Sequence, residues 1–101
     1  MSGVSDLDEV TYDLEVDGVE VRRTIHRKVF ERRGWATVAI VFQELEPTSQ
    51  TWKPAKLALI RLQRVHEAWK KHATITLNSD DARALTSSLS SWSSAFASDE
   101  T

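Results

Sequence analysis

The chain has 101 residues, a formal net charge of −2 and no cysteine, which predicts one domain that buries a core without disulfides or a thiolate-bound metal. No apolar run approaches the roughly 20 residues of a membrane-spanning helix, and residues 1–9 lack the cationic and apolar regions of a signal peptide. These features favour a cytoplasmic protein, with nucleoid association as a setting compatible with DNA binding.

Charge is distributed unevenly along the chain. Residues 1–21 sum to −7, residues 22–72 to +8 and residues 73–101 to −3. A basic middle between acidic ends predicts an anionic partner for the middle. It also raises the hypothesis that the acidic ends fold back on the basic surface and compete with that partner.

The first predicted element is a strand that follows a disordered leader. Residues 1–8 are short, polar and acidic, as in disordered termini. Residues 9–16 alternate between apolar and polar, which predicts a half-buried strand. Asp17 and Gly18 then favour a two-residue type I′ turn, because both central positions of that turn need φ > 0. The residues expected to share the inward face are Val10, Tyr12, Leu14 and Val16.

The turn fixes the register of a second strand, predicted over residues 19–31. Val16 is then expected opposite Val19, and Leu14 opposite Val21. The residues expected to point inward are Val21, Ile25 and Val29. Those expected to point outward are Arg22, Thr24, His26, Lys28 and Phe30.

A turn at residues 32–34 leads to a third strand and a loop. Residues 35–45 are apolar on both faces, which predicts a central strand or one covered on its second face. Residues 46–55 contain two prolines and no periodicity, which predicts a loop. Its length exceeds the usual hairpin connection of roughly 2 to 5 residues, so we expect a functional or mobile loop carrying Trp52 and Lys53.

A β-hairpin is predicted over residues 56–77, since two β-prone runs flank a short polar break at residues 66–68. After Leu77 the apolar period lengthens to about 3.6, which predicts a helix with Asn78 or Ser79 as its N-cap. One apolar stripe of this helix is expected to contact the core or a second copy. It consists of Ala82, Leu85, Leu89, Trp92 and Phe96.

The predicted fold class is α+β: an antiparallel four- to five-stranded meander followed by one C-terminal helix packed on the sheet, in the order β-β-β-β-β-α. A single domain is expected over residues 9–97, between the leader of residues 1–8 and an acidic tail at residues 98–101.

This arrangement of basic antiparallel strands and a final helix resembles a single-stranded nucleic-acid-binding group. The group includes Whirly proteins, Pur-alpha-type domains and the transcriptional positive cofactor four. A basic strand with Lys-Val-Phe and a later Arg/Lys-His pair are familiar in Pur-alpha-type repeats, and residues 28–30 and 71–72 match them. The resemblance covers about residues 22–92 and implies binding of single strands across the sheet and dimerisation. Residues 9–16 and the loop around Trp52 lie outside it.

Cations and aromatic rings together favour a nucleic-acid interface. Cations follow the phosphates of a single strand, and aromatic rings stack on its bases. We therefore predict binding of single-stranded nucleic acid, DNA rather than RNA, in a regulatory or genome-maintenance role. The predicted binding residues are Arg22, His26, Lys28, Phe30, Arg32, Arg33, Trp52, Lys53, Arg61, Arg64, Lys70, Lys71 and His72. Lys28 and residues 70–72 are expected to line one surface, with the loop around Trp52 at its edge.

Two other interpretations remain open. The basic sheet could belong to a small regulator that binds an acidic protein, or the cations could simply occupy the solvent face and protect edge strands from aggregation. Trp35 and Trp69 are expected in core or interface positions, whereas Phe30 suits stacking and packing equally. A homodimer is expected because one helix cannot cover a five-stranded sheet whose third strand is apolar on both faces.

An enzyme is not predicted. The chain has no cysteine nucleophile and only three glycines, and it contains neither a phosphate-binding loop nor a zinc-binding helix motif. His26 and His72 could share a face but lack an evident third ligand. We therefore predict no catalytic residue, no metal and no cofactor.

Overall fold

The structure, a computed structural model, describes residues 4–96. Five strands form one antiparallel sheet in which each strand pairs with its neighbours in sequence. They are β1 (Leu14–Val16), β2 (Val19–Arg32), β3 (Trp35–Glu44), β4 (Lys56–Val65) and β5 (Ala68–Leu77). Helix α1 (Ser79–Ser91) follows β5 and packs against β4 and β5. The predicted fold class is therefore confirmed.

The turns between strands follow from local sequence. Asp17 and Gly18 have φ of 51° and 80°, as the predicted type I′ turn requires. Arg33 and Gly34 have φ of 53° and 81°, so a second tight turn joins β2 to β3. A third connects β4 to β5, whose closing pair is Val65–Ala68.

The pairing register sorts the side chains onto two faces, because paired residues in antiparallel strands point to the same side. The covered face is the side that carries Val38, Ile40 and Phe42 of β3 with Ala58, Ile60 and Leu62 of β4. These residues are at most 2% exposed and form the core. The open face is the opposite side, where Trp35, Thr37, Ala39 and Val41 of β3 are half-buried.

The N-terminal arm, residues 4–13, provides the layer over the covered face. Leu7 and Val10 are buried in the core cluster. The 3-10 turn at Leu7–Glu9 connects them, and the N–H of Val10 donates to the carbonyl oxygen of Leu7. Val4 exchanges two backbone hydrogen bonds with Trp69, at 3.0 and 2.6 Å. Residues 4–8 thus pack on the sheet where we expected a disordered leader. Strand pairing begins only at β1, Leu14–Val16. The prediction of a strand over the whole of residues 9–16 is therefore wrong.

Arg27 holds the arm to the sheet. Its Nε donates to the carbonyl oxygen of Val10 at 2.8 Å, and Nη2 donates to that of Leu7. Nη1 also lies 3.8 Å from a carboxylate oxygen of Asp8. Because the arm lies outside the strand ladder, its carbonyl groups need such donors. The guanidinium supplies them in charge-assisted form.

β-Bulges at Ile25 and His72 change the face on which the following residues point. Ile25 is an extra residue between the pairs Thr24–Phe42 and His26–Val41. The extra residue reverses the alternation. Arg22 and Thr24 before it therefore share the covered face, whereas His26, Lys28 and Phe30 after it share the open face. The prediction of one outward face for Arg22, Thr24, His26, Lys28 and Phe30 is wrong for the first two, because a bulge interrupts the period of two.

The second bulge is at His72, an extra residue between the pairs Leu62–Lys71 and Arg61–Ala73. Lys71 precedes this bulge and, as the neighbour of Lys70, points to the covered face beside Leu62, which is buried. The prediction that Lys71 shares one surface with Lys28 is wrong because Lys70 and Lys71 are adjacent in a strand and point to opposite faces.

Helix α1 begins where the sequence indicates but covers little of the sheet. The side-chain oxygen of Asn78 accepts from the N–H of Asp81 at 2.8 Å, which confirms the N-cap. None of the residues of α1, all of them described, is buried. Ala82 and Leu85 are half-buried near Val41 and Leu57, whereas the continuation of the predicted stripe, Leu89, Trp92 and Phe96, is 43%, 55% and 63% exposed.

The molecule is consequently flat, with extents of 50 × 38 × 17 Å and a radius of gyration of 15.8 Å. A compact domain of about 100 residues has a radius near 13 Å. In residues 4–96 no helix has the length and apolar character needed to cross a membrane. The predicted tail at residues 98–101 lies outside the described residues.

Candidate nucleic-acid interface

The open face is cationic, and residues 22–32 of β2 and strands β3–β5, all of which the structure describes, place no carboxylate on it. Glu31 and Glu44 point to the covered face, since they pair with Ala36 and Arg22. Glu20 differs, because Val21 is an extra residue between the pairs Glu15–Glu20 and Leu14–Arg22, so Glu20 points to the opposite side from Arg22 at the far end of β2. The cations of the open face are Arg23, Lys28 and Arg32 of β2, Arg61 of β4 and Lys70 of β5, joined by His26 and His72.

These cations are not neutralised by neighbouring acids. The ion pairs found within residues 4–96 are Arg27–Asp8, Lys53–Glu46, Lys56–Glu44 and Arg83–Asp80. None of these pairs uses a cation of the open face. A surface with one sign of charge attracts ligands of the opposite sign, so this face suits an anion.

The register places the basic and aromatic residues in two adjacent rows across the sheet. The outer row, next to the hairpin turns, is Arg32, Trp35, Gln63 and Lys70. The inner row is Phe30, Thr37, Arg61 and Ala73, with the bulged His72 beside it. With strands about 4.8 Å apart, each row spans roughly 14 Å. Each row therefore combines cationic and aromatic side chains.

Polar contacts hold Trp35 in position on the open face. The guanidinium carbon of Arg61 lies 4.8 Å from the Trp35 ring centroid, and Nη1 of Arg61 donates to the Thr37 hydroxyl at 2.9 Å. The imidazole of His72 is 5.1 Å from the same ring and contacts Gln63 Oε1 through Nε2 at 2.9 Å. Trp35 is therefore half-buried among polar groups rather than part of the buried core.

An open depression lies beside Trp35, where Phe30 is 56% exposed. Arg32, Arg33 and Arg61 also line it, together with Thr37 and Glu31. Aromatic rings offer stacking surfaces, and guanidinium groups can bind phosphate oxygens in bidentate fashion. The depression thus has the side chains needed for a base and its neighbouring phosphates.

The loop around Trp52 packs at one end of the open face. Trp52 forms an isolated bridge with Leu45, and the guanidinium carbon of Arg23 lies 4.0 Å from the Trp52 ring centroid. Nη2 of Arg23 also donates to Gln43 Oε1 at 2.8 Å. Lys53 lies 3.7 Å from Glu46 in the same loop. Trp52 is therefore held by the sheet at the edge of this face.

The structure brings together most of the predicted binding residues. On the open face are His26, Lys28, Phe30, Arg32, Arg61, Lys70 and His72, with Arg33 in the adjoining turn and Trp52 and Lys53 in the loop. Arg22, Arg64 and Lys71 lie on the covered face instead.

The residues on the covered face have structural contacts. Nε of Arg22 donates to the carbonyl oxygen of Tyr12 at 2.7 Å, and its guanidinium carbon lies 4.2 Å from the Tyr12 ring centroid. Arg64 is 6.0 Å from the Trp69 ring centroid. In contrast, Arg23 and Trp35 belong to the open face although they were not predicted as binding residues. Adjacent strand residues point to opposite faces, and only the bulge at Ile25 shows that Arg23, rather than Arg22, shares the face of Lys28.

Among residues 4–96, no three or more His, Cys, Asp or Glu side chains form a group that could hold a metal ion. Comparison of this chain with protein-family models, curated proteins and solved structures found no match. Its function must therefore be inferred from its own residues.

Proposed function

We propose that the open face binds single-stranded nucleic acid, with single-stranded DNA as the first candidate and a regulatory or genome-maintenance role. This proposal rests on the two rows of the open face, which combine cations outside any ion pair with aromatic rings and contain no carboxylate. Such a surface offers both interactions that hold a single strand, phosphate neutralisation and base stacking.

The arrangement assigns different tasks to different side chains. Arg32 and Lys70 stand at the two ends of the outer row, where they can neutralise phosphates on either side of Trp35. Phe30 and Trp35 present rings to the bases between them. Stacking requires an exposed base face, which a single strand offers and an intact duplex does not.

Charge reversal on the two faces tests this proposal under equal net charge. The open-face variant is Lys28→Glu/Lys70→Glu, and its matched control is Arg64→Glu/Lys71→Glu on the covered face. Binding of a fluorescent oligo-dT is measured by anisotropy over rising salt, starting near 50 mM. We expect the open-face variant to lose about tenfold or more in affinity. The salt slope should fall by about 0.7 for each phosphate that is no longer neutralised.

The control should bind within about twofold of the original protein. If the original protein does not bind oligo-dT at about 50 mM salt, nucleic acid is not the ligand. Equal losses in both variants would show that net charge, rather than the open face, determines binding.

A second candidate is an acidic protein segment. Beyond the basic rows, the open face continues into apolar positions, including Leu57, Leu59 and Ile75, the last of which is 58% exposed. Cations beside apolar groups suit an amphipathic acidic peptide. This function is supported if Lys28→Glu/Lys70→Glu abolishes binding of a Glu- and Leu-rich peptide while oligo-dT fails to bind.

We also propose a homodimer, because several apolar side chains are exposed on a flat protomer. Ile75, Trp92 and Phe96 are each more than half exposed, and large apolar patches on soluble domains commonly mark interaction sites. A sedimentation mass near 11.4 kDa at micromolar concentration would contradict this.

A further inference from the structure

The sheet has one edge that its own side chains do not protect. β5 is an outermost strand, and its second half, residues 73–77, reads Ala-Thr-Ile-Thr-Leu. This segment contains no charge, proline or glycine, and residues 73–76 are exposed. Natural edge strands usually carry charges, prolines or bulges that prevent pairing with another chain. Residues 73–77 are therefore a free pairing segment.

The opposite edge differs. There β1 has only three residues, so β2 is unpaired beyond it. That part of β2, residues 26–32, includes Lys28, Glu31 and Arg32. Charges at these positions discourage edge-to-edge pairing. Of these two edges, only β5 therefore offers an uncharged segment for pairing.

The bonds of Trp69 show which backbone groups of β5 point outward. Both its N–H and its carbonyl bond Val4, outside the ladder with β4. Outward and inward residues alternate along an antiparallel strand, and the extra residue His72 shifts that alternation by one. Beyond the bulge, the residues that direct N–H and C=O groups outward are therefore Thr74 and Thr76.

We propose that a second copy of this chain pairs with β5, antiparallel and edge to edge, about a two-fold axis at Ile75. Thr74 then faces Thr76 of the partner subunit, and Thr76 faces the partner's Thr74. Each such pair can exchange two hydrogen bonds. Ile75 lies opposite the partner's Ile75 on the open-face side. An interface of this symmetry must be complementary to itself, and this register satisfies that condition.

The charges next to this segment fit the same register. Lys70 and Lys71 come beside the first turn of the partner's helix, where the chain carries Asp80 and Asp81. Cations thus approach carboxylates rather than other cations, which favours the pairing. The bridge between Val4 and Trp69 lies outside the paired residues and need not break.

The dimer would have one continuous sheet, with both open faces on the same side because paired antiparallel residues share a side. The two basic surfaces would then be presented in the same direction. This consequence concerns nucleic acid, but the pairing itself does not depend on nucleic-acid binding.

Sedimentation equilibrium at micromolar concentration, without nucleic acid, tests the pairing. The original protein should have about twice the mass of 11.4 kDa. Ile75→Lys and Ile75→Glu should each be monomeric, because each places like charges opposite one another. An equimolar mixture of the two variants should recover the dimer, since unlike charges then meet. Only a position that lies opposite its own counterpart gives this pattern.

A matched control changes other exposed apolar residues. Trp92→Ser/Phe96→Ser should remain dimeric. Circular dichroism should show that the Ile75 variants keep their fold, since Ile75 is 58% exposed. If either Ile75 variant misfolds, Thr76→Pro replaces it. The N–H of Thr76 points outward and is not bonded to β4, so proline at this position removes a hydrogen bond only from the dimer. This variant should therefore also be monomeric.

Three results would overturn the proposal: a monomeric original protein, dimeric Ile75→Lys and Ile75→Glu variants, or a mixture that stays monomeric. Dissociation caused by Trp92→Ser/Phe96→Ser would place the interface on the helix instead. Because no oligonucleotide is present, these outcomes are separate from those that test nucleic-acid binding.

Discussion

The two faces of β3 carry similar apolar residues but have different surroundings. Val38 and Ile40 are fully buried, whereas Ala39 and Val41, their neighbours on the opposite face, are only half-buried. The difference comes from the N-terminal arm, which brings Leu7 and Val10 onto one side only. Apolar character on both faces of a strand therefore does not ensure two covering layers. The second face here is covered only at one end, where α1 lies near Val41 and Leu57, and is otherwise accessible.

The cations of the two faces differ in the same way. On the covered face, Arg27 binds arm carbonyls and Lys56 lies 3.0 Å from Glu44. On the open face, Arg23 and Arg61 lie against tryptophan rings instead. Cations bonded to carbonyls and carboxylates contribute to folding, whereas cations without carboxylate partners can bind an external anion.

The largest predicted effect separates neighbouring residues of β4. Ile60→Ala should lower the free energy of unfolding by about 2–5 kcal/mol, because Ile60 is fully buried and its loss leaves a cavity. Leu59→Ala, on the half-buried open face, should cost about 1 kcal/mol. Urea unfolding followed by circular dichroism measures both. Equal losses would contradict the assignment of the faces.

The arm gives the next effect. Leu7→Ala should lower the free energy of unfolding by about 2 kcal/mol, since Leu7 is 7% exposed in the core. Asp8→Ala is the control and should change it by less than about 0.5 kcal/mol, because the Asp8 carboxylate is exposed.

The same variants test whether the arm is an inhibitor. If the arm only competes with ligand, Leu7→Ala will leave thermal unfolding unchanged and tighten oligo-dT binding. We expect the opposite result, a loss of stability, because the arm covers the face opposite the proposed interface.

A smaller effect concerns Phe30 on the open face. Phe30→Ala should weaken oligo-dT binding by about 1 kcal/mol, within the lower range for base stacking on an aromatic ring. Unfolding should change little, since the ring is 56% exposed. Phe96→Ala, which removes a similarly exposed ring outside the interface, is the control for fluorescence anisotropy. A loss of stability without a loss of affinity would assign Phe30 to packing.

The smallest effect is expected at the end of the helix. Trp92→Ser should alter the free energy of unfolding by less than about 0.5 kcal/mol, because Trp92 is 55% exposed. Thermal unfolding monitored by circular dichroism at low protein concentration measures it. A loss above about 2 kcal/mol would instead place Trp92 in the protomer core.

Local features of the sequence predicted the fold well. Asp17-Gly18 determines a tight turn through its backbone angles, and Asn78 caps the helix through one side-chain bond. Such signals depend on a few adjacent residues, so they can be read without tertiary contacts. The meander and its C-terminal helix followed from them and from periodicity.

The candidate site was only partly predictable. The bulges at Ile25 and His72 add single residues without a compositional marker. The first moves Arg22 to the covered face, and the second moves Thr74 and Thr76 there. The arm was missed because Leu7 and Val10 stand in an acidic segment too short to show a period. Their burial depends on the sheet, which is a long-range contact that local patterns do not report.

Side-chain NMR during an oligo-dT titration at low salt tests the central claim most directly. The Trp35 indole and Phe30 ring signals on the open face should shift progressively with added oligo-dT. The methyl signals of Ile40 and Ile60 beneath the arm should shift little. Large shifts at Ile40 and Ile60 without shifts at Trp35 and Phe30, or no shifts at all, would contradict binding on the open face.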